Sequence, residues 1–402
     1  MLSPEERQTI AAPDRTARRW AITDVRCTDP DSYSKRVRAG CQVTGWYDNL
    51  SIVAGEAAAV VLAPACGEER ALRKRQFRRT GWSVSEIGFG TWPIGSAWGP
   101  VKDSDSLDAL RVSLDAGVDF LDTADVYGDH TSERLIASVL KERRKHGKSI
   151  PIVATKIGRR LPKQDAALFT YANLAPFVED SLKALEVDAL DLVQLHCPPI
   201  ETYYRPEVFE AMDRLRREGK MRFHGVSVEK VEEGLKALQY PGVVSVQIIY
   251  NVFRQRPDDL FLGQACKHGV AVIARVPLAS GLLAGKFTPD SKFDPGDHRQ
   301  FNRHGEAFDV GETFAGIPYE TGLAAVEEIR PLVPKGVTMV QFALRWILMN
   351  EAISVVIPGA KNAEQARANI GAAALAPLSP EAMARVRSIY EARIKPAVHQ
   401  RW

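Results

Sequence analysis

The chain has 402 residues, of which 45% are apolar, and 53 Lys+Arg against 50 Asp+Glu leave a formal net charge of +3. That near balance argues against a nucleic acid or an anionic membrane as the main partner, while the apolar share is ample for a large core. Five cysteines (Cys27, Cys41, Cys66, Cys197, Cys266) are scattered without C-x-x-C spacing, as expected of reduced cytosolic thiols and not of a disulfide framework or metal site. The early apolar run Ala57 to Ala65 is too short to span a bilayer, and the amino terminus lacks the layout of a signal peptide. A cytoplasmic protein is expected.

Residues 1–72 show no apolar periodicity, and only Ser51 to Ala65 offers a helix or buried strand. A poorly ordered extension is expected there, followed by one domain over residues 73–402. Arg78 to Trp82 reads as a hairpin turn and Val84 to Phe89 as a strand. A unit then recurs: apolar strand, polar loop, amphipathic helix, glycine. Leu107, Leu110, Val112 and Leu114 mark a helix from Ser104 that stops at Gly117, and Val118, Phe120 and Leu121 the strand after it. A second helix starts at Ser132 with Leu135, Ile136, Val139 and Leu140 on one face, and Ile152 to Ala154 follows as strand. Further strands fall at Leu190 to Leu195, Phe223 to Val226, Val243 to Val246, Ala271 to Val276 and Ser354 to Ile357, and Asn362 caps the last barrel helix. Eight such repeats imply an α/β fold closed into a (β/α)₈ TIM barrel. Lys286 to Pro318 breaks the pattern as a long polar and aromatic loop, which suits either a lid over the site or an ordered surface excursion.

In such a barrel the chemistry sits where the strands end. Asp122 ends the second strand, with Tyr127 in its loop; Lys156 follows the third and His196 the fourth. Ser227, Gln247 and Arg275 follow the fifth, sixth and seventh, and Lys361 comes just after the eighth. Asp122, Tyr127, Lys156 and His196 resemble the catalytic set of the aldo-keto reductases. The resemblance implies reduction of a carbonyl by hydride, which leaves an alkoxide unless a proton arrives with it; a placed general acid contributes roughly 10²–10⁴-fold. Tyr127 would supply that proton. A free tyrosine has a pKa of about 10, which a neighbouring Lys156 is expected to draw down by about 1–3 units. Asp122 would hold Lys156 charged, and His196 would orient the substrate oxygen. Trp92 and Trp98, in the loop after the first strand, are expected to wall the substrate pocket. A metal-dependent hydrolase would need clustered histidines, and His196 has no H-x-H partner, so no metal is expected.

The stretch Asp122-Thr123-Ala124-x-x-Tyr127-Gly128, closed by Ser132-Glu133, resembles the first signature of the aldo-keto reductases. Gly225-Val226-Ser227, Gln247-x-x-Tyr250-Asn251, Pro277-Leu278-x-x-Gly281-Leu282-Leu283-x-Gly285-Lys286 and Ile357-Pro358-Gly359 resemble that family's cofactor motifs, in order, from Arg73 onward. The resemblance implies catalysis by Asp122, Tyr127, Lys156 and His196, and a cofactor held by Ser227, Gln247, Asn251, Arg275, Pro277, Leu278, Ser280, Gly281, Leu282, Lys286, Gly359, Lys361, Gln365 and Asn369. It implies NADPH in preference to NADH, with Lys361 at the 2′-phosphate, and small carbonyl compounds (aldehydes, ketones or sugars) as substrates. No G-x-G-x-x-G opens a βαβ unit, so a Rossmann-type site is not expected. Two positions depart from the family: Arg275 stands where an aromatic ring is common, and Ala368 where an acid precedes Asn369. A slowly turning regulatory barrel, like the family's channel-associated members, is the alternative, against which the intact tetrad speaks.

Overall fold

The computed structural model describes residues 72–95 and 98–402. The expected extension, with its Ser51 to Ala65 element, lies outside the described residues save for Leu72. Strands β1 (Lys74–Gln76) and β2 (Ser83–Ser85) form an antiparallel hairpin around Arg78–Thr80. Eight parallel strands follow in chain order: β3 (Phe89–Gly90), β4 (Phe120–Asp122), β5 (Ile152–Ile157), β6 (Leu190–His196), β7 (Met221–Ser227), β8 (Val243–Ile249), β9 (Ala271–Arg275) and β10 (Val355–Val356). The ring closes through the main chain. Val356 N–H donates to the Glu86 carbonyl (3.0 Å), Gly88 N–H to Val356 (2.8 Å) and Gly90 N–H to Pro358 (3.1 Å). This is the (β/α)₈ barrel that the alternation of strand and helix predicts.

One expected element is corrected. Val84 to Phe89 is not one strand: Val84 belongs to the hairpin and Phe89 to the barrel. The break lies at Glu86, whose buried carboxylate takes Arg75 Nε at 3.0 Å. Arg75 also donates to the carbonyls of Leu348 (2.6 Å), Asn350 (2.8 Å) and Ile353 (3.0 Å), tying the hairpin to the chain ahead of β10.

Period-two alternation along the strands then separates two cores. Phe120, Ala154, Leu192, Ile273 and Val355 face inward and pack with Phe77 and Val84 of the hairpin, which floors the barrel. Leu121, Val153, Val193, Val246 and Val272 face outward into the larger core beneath the helices. Continuing the inward series past the apolar layer brings Asp122, Lys156 and Gln194 to the carboxyl rim, with Lys156 in register with Gln194. The same alternation that fills the barrel thus aims the polar residues into its mouth.

Helices α1 (Asp103–Asp115), α2 (Thr131–Lys145), α3 (Tyr171–Leu185), α4 (Pro206–Arg217), α5 (Val231–Ala237) and α6 (Phe261–Lys267) make the first six crossovers. In α2, Ile136, Val139 and Leu140 are buried, Glu133 lies in the first turn, and Arg143, Arg144 and Lys145 in the last, as the helix dipole favours. The helix stops there because Gly147 adopts φ +62°. Residues Lys286 to Pro318 contain only short turns, including α7 (His298–Phe301), before α8 (Tyr319–Ile329) and α9 (Met339–Leu348). Helix α10 (Ala363–Ile370) follows β10, and Asn362 caps it by accepting from Gln365 N–H at 3.0 Å.

Candidate active site

Asp122 ends β4, Lys156 is the penultimate residue of β5, His196 ends β6, and Tyr127 sits in the loop after β4. The structure brings the four together. Lys156 Nζ donates to Asp122 Oδ1 (2.5 Å), to the Thr123 carbonyl (2.9 Å) and to Tyr127 Oη (3.2 Å). Asp122 Oδ2 accepts from Gln247 Nε2 (2.6 Å) and Gln194 Nε2 (3.3 Å), so the carboxylate is fixed through both oxygens. Ser227 Oγ in turn donates to Gln247 Oε1 at 3.3 Å. The Tyr127 and His196 rings stand edge to face, 6.0 Å between centroids. Gly95 lets the loop after β3 lie on that of Tyr127, since a Cβ there would fall 2.7 Å from the Tyr127 main chain.

Burial sets the proton positions. Burial is the largest single influence on Lys156 and pulls its pKa down, but the charges and hydrogen bonds of Asp122 and Tyr127 together outweigh it and hold the ammonium above its ordinary range. The expected downward pull on Tyr127 is present but does not win. Burial pushes the phenol above its usual value, Lys156 opposes, and the Asp122 and Glu312 charges add to the rise. Tyr127 therefore holds its proton at neutral pH, as a proton donor must. His196 is held well below its ordinary range by burial and then by the nearby cations Arg159, Lys156 and Arg275, so the imidazole is neutral. Its buried Nδ1 has no partner among the described residues. Cys197, the next residue, has φ +48°, an uncommon conformation for a side chain other than glycine.

A cavity of about 420 Å³ opens onto Tyr127 and His196. Trp92 and Phe308 line it with aromatic rings 6.1 Å apart. The Lys286 to Pro318 segment supplies Ala307, Phe308, Asp309 and Glu312, so it walls the site. Trp98 is not among the residues lining this cavity. Its ring packs against Trp92 (5.5 Å) and His298 (4.5 Å), with the Arg299 guanidinium 4.8 Å from its centre. Arg159 and Glu229 complete the polar wall, with Arg275 behind. Arg159 Nη2 donates to Glu312 Oε1 at 2.5 Å and lies 3.5 Å from Glu229 Oε1. Arg275 donates to Glu229 Oε2 (2.8 Å) and to the Val228 carbonyl (3.0 Å). Arg159, Glu229 and Glu312 were not singled out from the sequence, because nothing in one dimension relates three charges so far apart in the chain. Cys197, Glu229 and Glu312 also bring ligand atoms within 4.8 Å of one another. Both carboxylates are already engaged by guanidinium cations, which disfavours a metal ion there.

The residues expected at a dinucleotide gather at the ends of β7 to β10. Gln247 and Asn251 are held by the chain itself: Gln247 bridges Ser227 and Asp122, and Asn251 Nδ2 donates to the Val276 carbonyl at 2.9 Å. After β9, Pro277, Leu278, Ser280, Gly281, Leu282 and Lys286 belong to a loop in which Val276 (φ 50°), Ala279 (47°) and Ser280 (53°) all take positive φ. Strain of this kind clusters at functional loops. Ser280 Oγ donates to the Glu312 carbonyl (3.0 Å) and accepts from Phe314 N–H (3.1 Å), locking the loop to the cavity wall. Gly359 follows β10, and its carbonyl accepts from Asn369 Nδ2 at 3.0 Å. Gln365 Oε1 accepts from the Lys361 amide at 3.0 Å. Lys361 Nζ donates to the Trp98 carbonyl, and burial and then Arg299 lower its pKa. Arg299, also missed from the sequence, reaches the Ser280 carbonyl at 3.5 Å. Lys361 thus stands beside a strained turn and a capped helix start, with Arg299, itself paired to Asp297 at 2.5 Å, next to it. The arrangement fits a phosphorylated cofactor.

Residues 86–391 match the model of the aldo/keto reductase family. The chain is 32% identical over 300 residues to the aldo-keto reductase YhdN of Bacillus subtilis, covering 72% of this chain and 85% of that protein. It is 30% identical to the L-galactose dehydrogenase of Arabidopsis thaliana, over 74% of this chain and 87% of the relative. Among solved structures, the glycerol dehydrogenase AKR11B4 of Gluconobacter oxydans superposes with a TM-score of 0.64 at 27% identity, covering 80% of this chain and 96% of the other.

Proposed function

The chain belongs to the aldo/keto reductase family and is an NAD(P)-dependent oxidoreductase of carbonyls and alcohols, and we propose that it reduces small carbonyl compounds with NADPH, using Tyr127 as the general acid. The observation that carries this reading is the chain of contacts Asp122–Lys156–Tyr127 at the mouth of the cavity.

A bound nicotinamide supplies the hydride. The protein's own residues manage the proton. Tyr127 enters the reaction protonated and gives its proton to the substrate oxygen as negative charge grows there. Lys156, held 3.2 Å from Tyr127 Oη, stabilises the phenolate as it forms. Asp122 keeps Lys156 charged and in place, and Gln194 and Gln247 keep Asp122 in place. Neutral His196 donates a hydrogen bond to the same oxygen and fixes its direction. Asp122, Lys156 and His196 are buried and Tyr127 is half-buried, so these interactions act in a setting of lowered dielectric.

Ser227, Asn251 and Gln247 form the carboxamide side of the cofactor site in this reading. The Pro277 to Lys286 loop and the Gly359 turn take the diphosphate, Lys361 with Arg299 the 2′-phosphate, and Gln365 and Asn369 the adenosine end. Arg275 acts from behind Glu229. The names of the relatives, L-galactose and glycerol dehydrogenase, support a small oxygenated substrate here. Purified protein should oxidise NADPH in the presence of simple aldehydes at a steady rate. NADPH binding without turnover, across aldehydes, ketones and sugars, would favour the regulatory alternative.

A further inference from the structure

Proton transfer by the tetrad leaves the charged side of the cavity without a role. Arg159, Glu229 and Glu312 open onto the space that holds Tyr127 and His196, with Gln164 and Asp309 beside them. Trp92 and Phe308 add an aromatic side to the same lining, the Phe308 ring 5.7 Å from the Arg159 guanidinium. We propose that the Arg159–Glu312–Arg275–Glu229 wall is a hydroxyl-binding subsite, so that the carbonyl substrate is an uncharged polyhydroxylated compound and not a carboxylate. This rests on the carbonyl-reductase reading and names the substrate class within it.

Charge balance is the first ground. Glu312 binds Arg159 at 2.5 Å and faces Arg275 at 3.6 Å, while Glu229 binds Arg275 at 2.8 Å and faces Arg159 at 3.5 Å. Neither guanidinium is left as an uncompensated cation. Asp309 adds a further carboxylate to the lining, and Lys156 is matched by Asp122. Burial raises the Glu229 carboxyl to about 8, Arg275 opposing and Glu312 adding. Each guanidinium lies 2.5 to 3.6 Å from the carboxylates of Glu229 and Glu312, and Asp309 stands in the same lining, so neither cation faces the cavity alone. A substrate carboxylate would enter a low-dielectric cavity, meet those acids, and find no free cation to offset its lost hydration.

Hydrogen-bonding capacity is the second ground. Guanidinium groups carry more N–H donors than two carboxylates use, and carboxylate oxygens have spare lone pairs. A hydroxyl both donates and accepts, so it can add to such a mixed wall without breaking an ion pair. An alkyl chain in its place leaves these groups unmet, and sites of this kind discriminate strongly against the analogue lacking the hydroxyl. The aromatic side suits the C–H face of the same molecule.

The test compares three four-carbon aldehydes with the full chain and NADPH: butanal, erythrose and succinic semialdehyde, each scaled to its free aldehyde. Erythrose should exceed butanal in kcat/KM by ~10- to 150-fold for each hydroxyl engaged by a charged group, and succinic semialdehyde should fall below butanal. Butanal equal to erythrose, or succinic semialdehyde the best of the three, overturns the subsite while leaving carbonyl reduction standing. Reduction of none of them, nor of other simple aldehydes, removes the carbonyl-reductase reading and the subsite with it. Glu312→Gln should uncover Arg159 and raise the succinic semialdehyde-to-erythrose ratio at least about 10-fold, the worth of one charge-assisted contact. That ratio is unaffected by loss of folded protein, and its constancy overturns the charge argument.

Discussion

Replacing Lys156 by Met, beside Tyr127→Phe, separates the proton donor from the group that tunes it. Two unit charges 3.2 Å apart, the Lys156 Nζ to Tyr127 Oη distance, interact by about 5 kcal/mol at an effective dielectric constant of about 20. With about half the phenolate charge developed in the transition state, the lysine contributes about 2–3 kcal/mol, or roughly two orders of magnitude in turnover. Tyr127→Phe keeps the ring but loses the acid, and should cost about 10²–10⁴-fold. The sign of the pH effect follows from the site. Burial, Asp122 and Glu312 all push the phenol up, and Lys156 is the cation that opposes them. In Lys156→Met the phenol rises further, so residual alcohol oxidation, which needs the phenolate, should shift its optimum to higher pH. The substitution also leaves Asp122 buried without its cation, which costs about 3–5 kcal/mol of stability. Melting temperature and NADPH affinity should therefore be measured beside turnover. Residues acting as a unit are not additive, so the double variant should resemble the worse single one. Full turnover in folded Tyr127→Phe, or an unmoved pH optimum in Lys156→Met, refutes this account.

Lys361→Glu should weaken NADPH about 10- to 150-fold more than NADH, the worth of one charge-assisted contact to phosphate; equal losses, by fluorescence titration, would place Lys361 away from the 2′-phosphate. Asp125 is buried beside Glu133, and burial first, then that neighbour, raises its carboxyl to about 7. An acid whose folded pKa lies above its unfolded value near 3.9 costs stability as pH rises between the two. Asp125→Asn should therefore gain up to about 4 kcal/mol at pH 8 and nothing near pH 3, read as the change in urea midpoint with pH. Removing residues 1 to about 72 should leave the folded barrel and its turnover intact, since the period of strands and helices begins after them; insoluble or inactive protein would assign the segment a packing role.

Local signals in the chain were strong where one residue type meets one backbone need. Gly117, Gly147 and Gly219 end helices, each with positive φ, and Asn362 caps a helix because its side chain reaches a free N–H. Period-two strands bounded by glycine yield the barrel without any long-range information. Val84 to Phe89 misled because apolar alternation does not say where a strand changes partner. Glu86 and Arg75 make that choice through a buried pair and three carbonyls contributed from residues 348–353.

The fold class and the four residues at the rim are legible in one dimension, because strand order fixes which chain positions end at the same face. Their proton states are not, since they arise only once the elements are assembled. Tyr127 rises and His196 falls through burial and through charges at 159, 275 and 312 that lie on other elements. The cavity wall is likewise a product of folding: Arg159, Glu229, Arg275 and Glu312 come from four separate segments, and their pairing depends on distances of a few ångströms that no local pattern encodes. Hydrophobic periodicity is a local property, legible residue by residue. Desolvation and charge coupling belong to the assembled site.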